Sequence, residues 1–302
     1  MFSQAAIQQG QAEARTQTAQ CPKIFLDRVL SPHYIAALYR HRTWAETSKL
    51  LGSFAMKNLK FALFLLLLVF SCLSLTPTVY GGDREIGGYV DQAEDRFVRN
   101  VWNFVKNFQG FKTIGSHRYQ EVQYFWAEPF EFDSDHQDFV DKMDLAYVAA
   151  HGSAYYVQTK KSAGEGVDLR SCPPYGDLAK GGDLEFLIIE SCSTIATAPD
   201  VAGDWWTPWT SIFQGLHQAV GFHTLSYSDN GIPNRYANKL KANGGVWQSW
   251  FDAVNEERSY AGEFYPGHAA AIMYTTTEGD RLGSYAADPA GGSVNMLTWW
   301  QY

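Results

Sequence analysis

Along residues 83–302 the apolar positions change period repeatedly. In EDRFVRNVWNFVKNF, Phe97, Val101, Trp102, Phe104, Val105 and Phe108 fall at helical spacing. EVQYFWAE is strand-like, LAYVAAHG is an apolar run ending in His-Gly, and SAYYVQ predicts another strand. DLEFLIIESC predicts a second buried strand ending at Cys192. WTSIFQGLHQ predicts a helix and AVGFHTLSY a third buried strand. PNRYANKLKANG predicts a helix closed by Gly244, VWQSWFDAVNEE a further amphipathic helix, and HAAAIMYTT the last strand. Buried strands alternating with helices imply an α/β fold: a mostly parallel sheet flanked by helices on both faces, in three layers. Two long connections, 159–183 and 194–210, interrupt the pattern, and loops of that length often carry function.

The pattern upstream is different. From Phe61 to Gly82 no residue is charged, and the heart of the segment is FALFLLLLVF, preceded by Lys57 and Lys60. Read from Met56, residues 56–82 have the basic start, apolar middle and small-residue end of a secretory signal, with cleavage after Gly81. Two alternatives stand beside it: lipidation at Cys72, and an uncleaved anchor, since 22 uncharged residues can span a bilayer. Each places the folded part outside the membrane: secreted, periplasmic or on the cell surface. Membrane contact is expected through this segment alone. Residues 1–55 open on a Gln-rich polar stretch and read as a disordered or wrongly included extension, leaving 83–302 as one domain.

Composition narrows the classes. The 302 residues are 46% hydrophobic and 19% charged, a globular balance that excludes wholesale disorder. Net charge is −8, and residues 1–81 hold eight basic and three acidic side chains, leaving the remainder at −13. Such a domain is a poor match for nucleic acid and can attract cationic ligands. Four cysteines are too few for a disulfide scaffold.

Two of the buried strands end in residues suited to nucleophilic catalysis, His151-Gly152 and Cys192. In an open parallel sheet, sites lie beyond the carboxyl ends of the strands. If these two strands are neighbours, an imidazole meets a thiol that needs a base. Gly152, lacking a Cβ, lets its backbone approach a carbonyl, and its N–H and that of Cys192 are candidate oxyanion donors.

An apolar block ending in His-Gly, a spacer, and an apolar block ending in acidic-Ser-Cys resembles the caspase-fold cysteine peptidases, a group that includes metacaspases and CHAT domains. Here the blocks are LAYVAAHG and LEFLIIESC, and FQGLHQAVGFHTLSYSDN and HAAAIMY are similar to the CHAT pattern that follows the nucleophile. The resemblance covers about residues 140–280 and points to an exported bacterial caspase-like family. It implies a peptide-bond hydrolase with His151 as base or proton donor, Cys192 as nucleophile, and Gly152 and Cys192 amides as the oxyanion hole. Glu190 stands where metacaspases place the acid that holds a basic side chain, so Arg or Lys before the cut bond is implied, with Asp229 as a second acid. Peptides or proteins would be the substrates. Ser193 departs from the His of metacaspases, and the Trp-rich loop 204–209 belongs to no caspase pattern.

Other readings compete. A relative that keeps the fold and lost activity would be a surface binding module. Trp205, Trp206 and Trp209 beside Asp204, together with Glu190, suggest a carbohydrate-active enzyme with two carboxylates. An oxidising compartment could bridge Cys172 to Cys192 and block the nucleophile. His217 and His223 read as satisfied structural residues, and no metal-type motif occurs. The expectation is no cofactor. Ca²⁺ is an alternative at Asp133, Asp135, Asp138, Asp141 and Asp144, a run that lacks the glycine of a Ca²⁺ loop. Oligomeric state is left open.

Overall fold

The computed structural model describes residues 83–302, apart from 93, 160–164, 178–180, 228–230, 262–266 and 292–294. These belong to the second of two units, Thr78–Tyr302. The extension 1–55, the leader 56–82 and Asp229 lie outside the described residues.

The frame is an eight-stranded mixed sheet. Its strands are β1 (Asp83–Val90), β2 (Lys112–Ile114), β3 (His117–Trp126), β4 (Leu145–Ala149), β8 (Phe186–Glu190), β9 (Gln218–Phe222), β10 (Ala269–Tyr274) and β11 (Met296–Trp300). Their order is β11-β10-β9-β8-β4-β1-β3-β2. The five strands β3-β1-β4-β8-β9 are mutually parallel, and β2, β10 and β11 join antiparallel at the flanks. A small antiparallel sheet, β5 (Gly152–Ser153), β6 (Tyr156–Gln158) and β7 (Gly166–Asp168), follows β4.

Side-chain alternation sorts the core into two clusters. On one face Ile86, Val90, Tyr147, Ala149, Phe186, Ile188, Val220 and Phe222 pack against α1 (Asp95–Val105), α3 (Ile232–Lys241) and α4 (Val246–Ala261). On the other face Tyr89, Ala146, Val148, Leu187, Ile189 and Ala219 meet Val157, Val167, Phe213 and Trp209, the last from the four-residue α2 (Thr207–Thr210). The sheet with mostly parallel strands stands as expected. The helical layer is met in full on one face; the second carries α2, the small sheet and 3-10 turns.

Several elements differ from their sequence patterns. β1, which no pattern announced, lies inside the sheet between β4 and β3, and its apolar signal is masked by Gly87 and Gly88. A Cβ at Gly88 would sit 2.6 Å from Val101 Cγ1, and one at Gly87 would sit 2.7 Å from Met143 Cγ, so these glycines let neighbours press onto the strand backbone. Trp102, expected on the buried stripe of α1, faces outward at 46% exposure. The helix expected over WTSIFQGLHQ ends after Thr210. Its backbone turns to another partner: Leu216 N–H donates to Tyr175 O at 3.1 Å, Tyr175 N–H to Ile212 O at 2.9 Å, and Gly215 lies flat on Gly176. HAAAIMYTT is the penultimate strand, because β11 adds to it at the edge.

Candidate active site

β4 and β8 are adjacent and parallel, and Ala149 pairs with Glu190. Two residues further along each strand stand His151 and Cys192, so the register carries both to the same rim. Ala150 N–H donates to Glu190 O at 3.3 Å, which prolongs the pairing past the strand ends. Buried Asp91 ties in the next strand: its N–H donates to Ala149 O at 3.0 Å, and its Oδ2 accepts from His151 N–H at 3.3 Å. A pocket of about 250 Å³ opens at this rim, lined by Arg96 and Phe97 of α1, His151, Glu190, Cys192 and residues 225–227.

His151 Nε2 lies 2.8 Å from Glu94 Oε1, and the Phe97 ring meets the imidazole edge-on at 4.9 Å and 88°. With Nε2 on the carboxylate, Nδ1 is the nitrogen left for chemistry. Glu94 is the N-cap of α1, with extended backbone angles of −143° and 137°, yet its side chain makes no capping bond. It also forms an ion pair with Arg96. Slight burial draws the Glu94 carboxyl upward. Hydrogen bonds from Arg96 and His151 outweigh that and hold it below the usual glutamate range.

Cys192 is half-buried, and its sulfur meets Ser226. The thiol donates to Ser226 O at 3.3 Å, Ser226 N–H donates back to Sγ at 3.4 Å, and Ser226 Oγ stands at 3.7 Å. The chain then turns sharply. Ser193 adopts a left-handed φ of 53°, its N–H reaches Thr224 O at 2.8 Å, and Ile195 N–H reaches Phe222 O at 3.0 Å. Amides on both sides of Cys192 are therefore engaged, Ser191 N–H with Ile189 O at 3.0 Å and Ser193 N–H with Thr224 O.

Gly152 is required by packing as well as by any chemistry. A Cβ there would lie 2.2 Å from Ser191 Oγ and 2.5 Å from Tyr156 O. Gln158 N–H donates to His151 O at 2.9 Å, which makes that pair the hydrogen-bonded one of the ladder. The next pair, Gly152 with Val157, is then the other kind, so Gly152 N–H turns away from β6.

Glu190 forms the pocket floor at 3% exposure. Asn100 Nδ2 donates to its Oε1 at 2.7 Å and the Tyr147 hydroxyl to its Oε2 at 2.7 Å. Burial, reinforced by the Glu190 charge, pushes the Tyr147 phenol well above its usual range, so it remains a donor.

The profile of a family described as a domain of unknown function, DUF6345, matches residues 91–302. The chain belongs to the DUF6345 family. Glu94, His151, Glu190, Cys192 and Ser226 all fall inside the matched span, while β1 precedes it. None of the curated proteins compared with the chain matches it.

The remaining candidates in this DUF6345 domain have structural partners. Cys172 is free, as is Cys192, so no bridge joins them; burial pushes the Cys172 thiol up to about 12. His217 Nδ1 pairs with Asp280 at 2.6 Å, and His223 bonds Asp200 at 3.0 Å and Gln301 O at 2.8 Å. In the acidic run, Asp133, Asp135 and Asp138 are exposed, whereas Asp141 and Asp144 are buried. Among the described residues no group of three or more His, Cys, Asp or Glu is disposed to hold a metal ion. Asp204 accepts from Trp206 N–H at 3.1 Å and Thr207 N–H at 3.0 Å, leading into α2, and Trp209 is fully buried. The carboxylate and one ring of the carbohydrate reading are thus committed to local structure. No described helix is long and apolar enough to cross a membrane.

Glu94, Arg96, Asn100, Tyr147 and Ser226 were not singled out by the sequence. One of them left a trace: Asn100 interrupts the apolar stripe of α1 between Phe97 and Phe104, and a polar group there needs a buried partner.

Proposed function

We propose that the domain is an exported cysteine endopeptidase of the caspase-like type, acting through Cys192 with His151. The observation that carries this reading is the shared pocket: thiol, imidazole and a buried carboxylate line one opening beyond the carboxyl ends of β4 and β8. The parallel order β3-β1-β4-β8-β9 supports the caspase-like layering, since base and nucleophile follow neighbouring central strands.

The chemistry follows from the atoms present. His151 Nδ1 takes the Cys192 proton and gives a thiolate and an imidazolium. The thiolate attacks the peptide carbonyl, and the oxyanion is held by the Cys192 and Gly152 amides. The imidazolium returns its proton to the leaving amine as the C–N bond breaks. Water, deprotonated by the same imidazole, then hydrolyses the acyl-thiol and restores the cysteine. Glu190 at the pocket floor pairs with an Arg or Lys side chain entering from the substrate, which makes basic residues before the cut bond the preferred ones.

Incubation of the chain with a peptide library, read by mass spectrometry, tests this. Cleavage after Arg or Lys that Cys192→Ala abolishes is the expected result. Cleavage confined to Asp or Asn overturns the role of Glu190, and an undigested library overturns the peptidase.

A further inference from the structure

We propose that Glu94 is the third member of the catalytic relay, a positioning residue that acts through His151 on Cys192. This rests on the reading of His151 as the base for Cys192. The N-terminus of α1 has no side-chain cap. A short polar residue at an N-cap, Ser, Thr, Asp or Asn, turns its side chain back onto the first free amides, a bond whose loss costs about 1 kcal/mol. Glu94 has the extended backbone of an N-cap but makes no such bond. Its carboxylate reaches outward to His151 Nε2 at 2.8 Å instead. Local rules broken in this way mark sites where another demand prevails.

The geometry defines what Glu94 does. By accepting from Nε2–H it fixes the tautomer in which Nδ1 carries the lone pair, and with the edge-on Phe97 ring it fixes the plane of the imidazole. When the Cys192 proton moves to Nδ1, the Nε2 proton stays on the ring, so the imidazolium is paired with a carboxylate already ionised. The ion pair with Arg96 keeps Glu94 ionised and limits its own pull on the Nε2 proton. Among the described residues the charged or titratable groups facing this corner are Glu94 just before α1, Arg96 of α1, Asp91 after β1, Glu190 of β8, and Tyr227 beyond β9.

The test reads the thiol directly and needs no peptide turnover. The rate of Cys192 alkylation by iodoacetamide is followed against pH by intact mass for the parent chain, His151→Ala, Glu94→Ala and Glu94→Gln. Glu94→Ala is expected to slow alkylation about tenfold at pH 6 and to raise the half-plateau pH by about one unit, the effect of removing an adjacent charge. Glu94→Gln keeps an acceptor on Nε2–H without the charge, so it raises the half-plateau pH while keeping more of the plateau rate. Profiles of both variants lying on the parent's overturn the proposal. If Glu94→Ala melts early, the near-isosteric Gln variant decides the question. A profile that His151→Ala leaves unchanged refutes the His–Cys pairing itself. One that His151→Ala moves and the Glu94 variants do not refutes Glu94 alone.

Discussion

Strand β8 is bracketed by two buried glutamates, Glu185 immediately before it and Glu190 at its end, 6% and 3% exposed. At the lower rim Glu185 faces Asp144, which immediately precedes β4, and Arg84 reaches both, at 3.6 Å and 2.6 Å. Glu85 N–H donates to Asp144 at 2.6 Å, and the Tyr285 hydroxyl donates to it at 3.3 Å. The cation that answers these acids is part of the chain. At the upper rim Glu190 receives the neutral donors Asn100 and Tyr147 and faces a pocket. The same residue type, buried to a similar degree, closes the structure at one end of the strand and lines a pocket at the other. What separates them is setting: Glu185 lies against a second carboxylate and an arginine, whereas Glu190 accepts from Asn100 and Tyr147 beside an opening, and burial alone does not tell these cases apart.

The largest contrast lies between activity and stability. Cys192→Ala or His151→Ala is expected to lower peptide hydrolysis by about 10³-fold or more. Neither should move the melting temperature by more than roughly 3 °C, because surface and rim substitutions usually have small effects. Asp144→Ala should do the reverse. It leaves Arg84 half-buried without its shorter contact, with Glu185 at 3.6 Å, and breaking a buried pair costs about 3 kcal/mol. For a domain of this size that lowers the melting temperature by roughly 6–12 °C. A melting scan with a hydrolysis assay on the same preparations checks both, and an unstable Cys192→Ala would break the division between the rims.

A sharper version substitutes the two glutamates in parallel. Glu190→Gln should lower cleavage after Arg by about 10²-fold, the loss of a buried charge-assisted contact. Glu185→Gln should leave cleavage unchanged. The glycines divide in the same way. Gly152→Ala forces a Cβ against Ser191 and Tyr156 and should reduce both stability and rate. Gly88→Ala forces one against Val101 and should reduce stability alone, by about 1–3 kcal/mol.

The parts of this site legible in the sequence share one property: they lie at the ends of continuous apolar runs. LAYVAAHG and LEFLIIESC announce buried strands by composition, and their last residues mark the rim. His151 and Cys192 were accessible for that reason, and Glu190 only through the resemblance to metacaspases. The supporting residues were not, because each reaches the site from another element. Glu94 stands before α1, Tyr147 points inward from mid-strand, and Ser226 belongs to the segment beyond β9. No periodicity encodes such tertiary pairing. The interior strand β1 escaped for the opposite reason: its Gly87 and Gly88 answer to side chains of Met143 and Val101 on other elements, and glycine there reads locally as a turn.

The smallest expected effect concerns the closed rim and its response to pH. One arginine cannot neutralise two buried carboxylates. Burial, and then the charge of Asp144, pushes Glu185 well above the usual glutamate range. Arg84 and the Glu85 amide both stand at 2.6 Å from Asp144, so Glu185 is the member that keeps the proton. A carboxyl raised on folding binds more protons in the native state than in the unfolded one. Its contribution to stability is therefore complete below about pH 4 and is lost as the pH climbs through the raised value. The parent chain should melt at a lower temperature at pH 8.5 than at pH 5.5. Asp141 and Glu131, each pushed by burial up to about 7, add to the same slope. Glu185→Gln mimics the protonated form and removes one contributor. It should match the parent at pH 5.5 and exceed it by roughly 2–4 °C at pH 8.5, the equivalent of about 1 kcal/mol. A Gln variant that loses stability equally at both pH values would mean that Glu185 is ionised and that Arg84 serves it as fully as it serves Asp144. The lower rim would then be a satisfied ion network, and the difference between the two ends of β8 would lie in access alone.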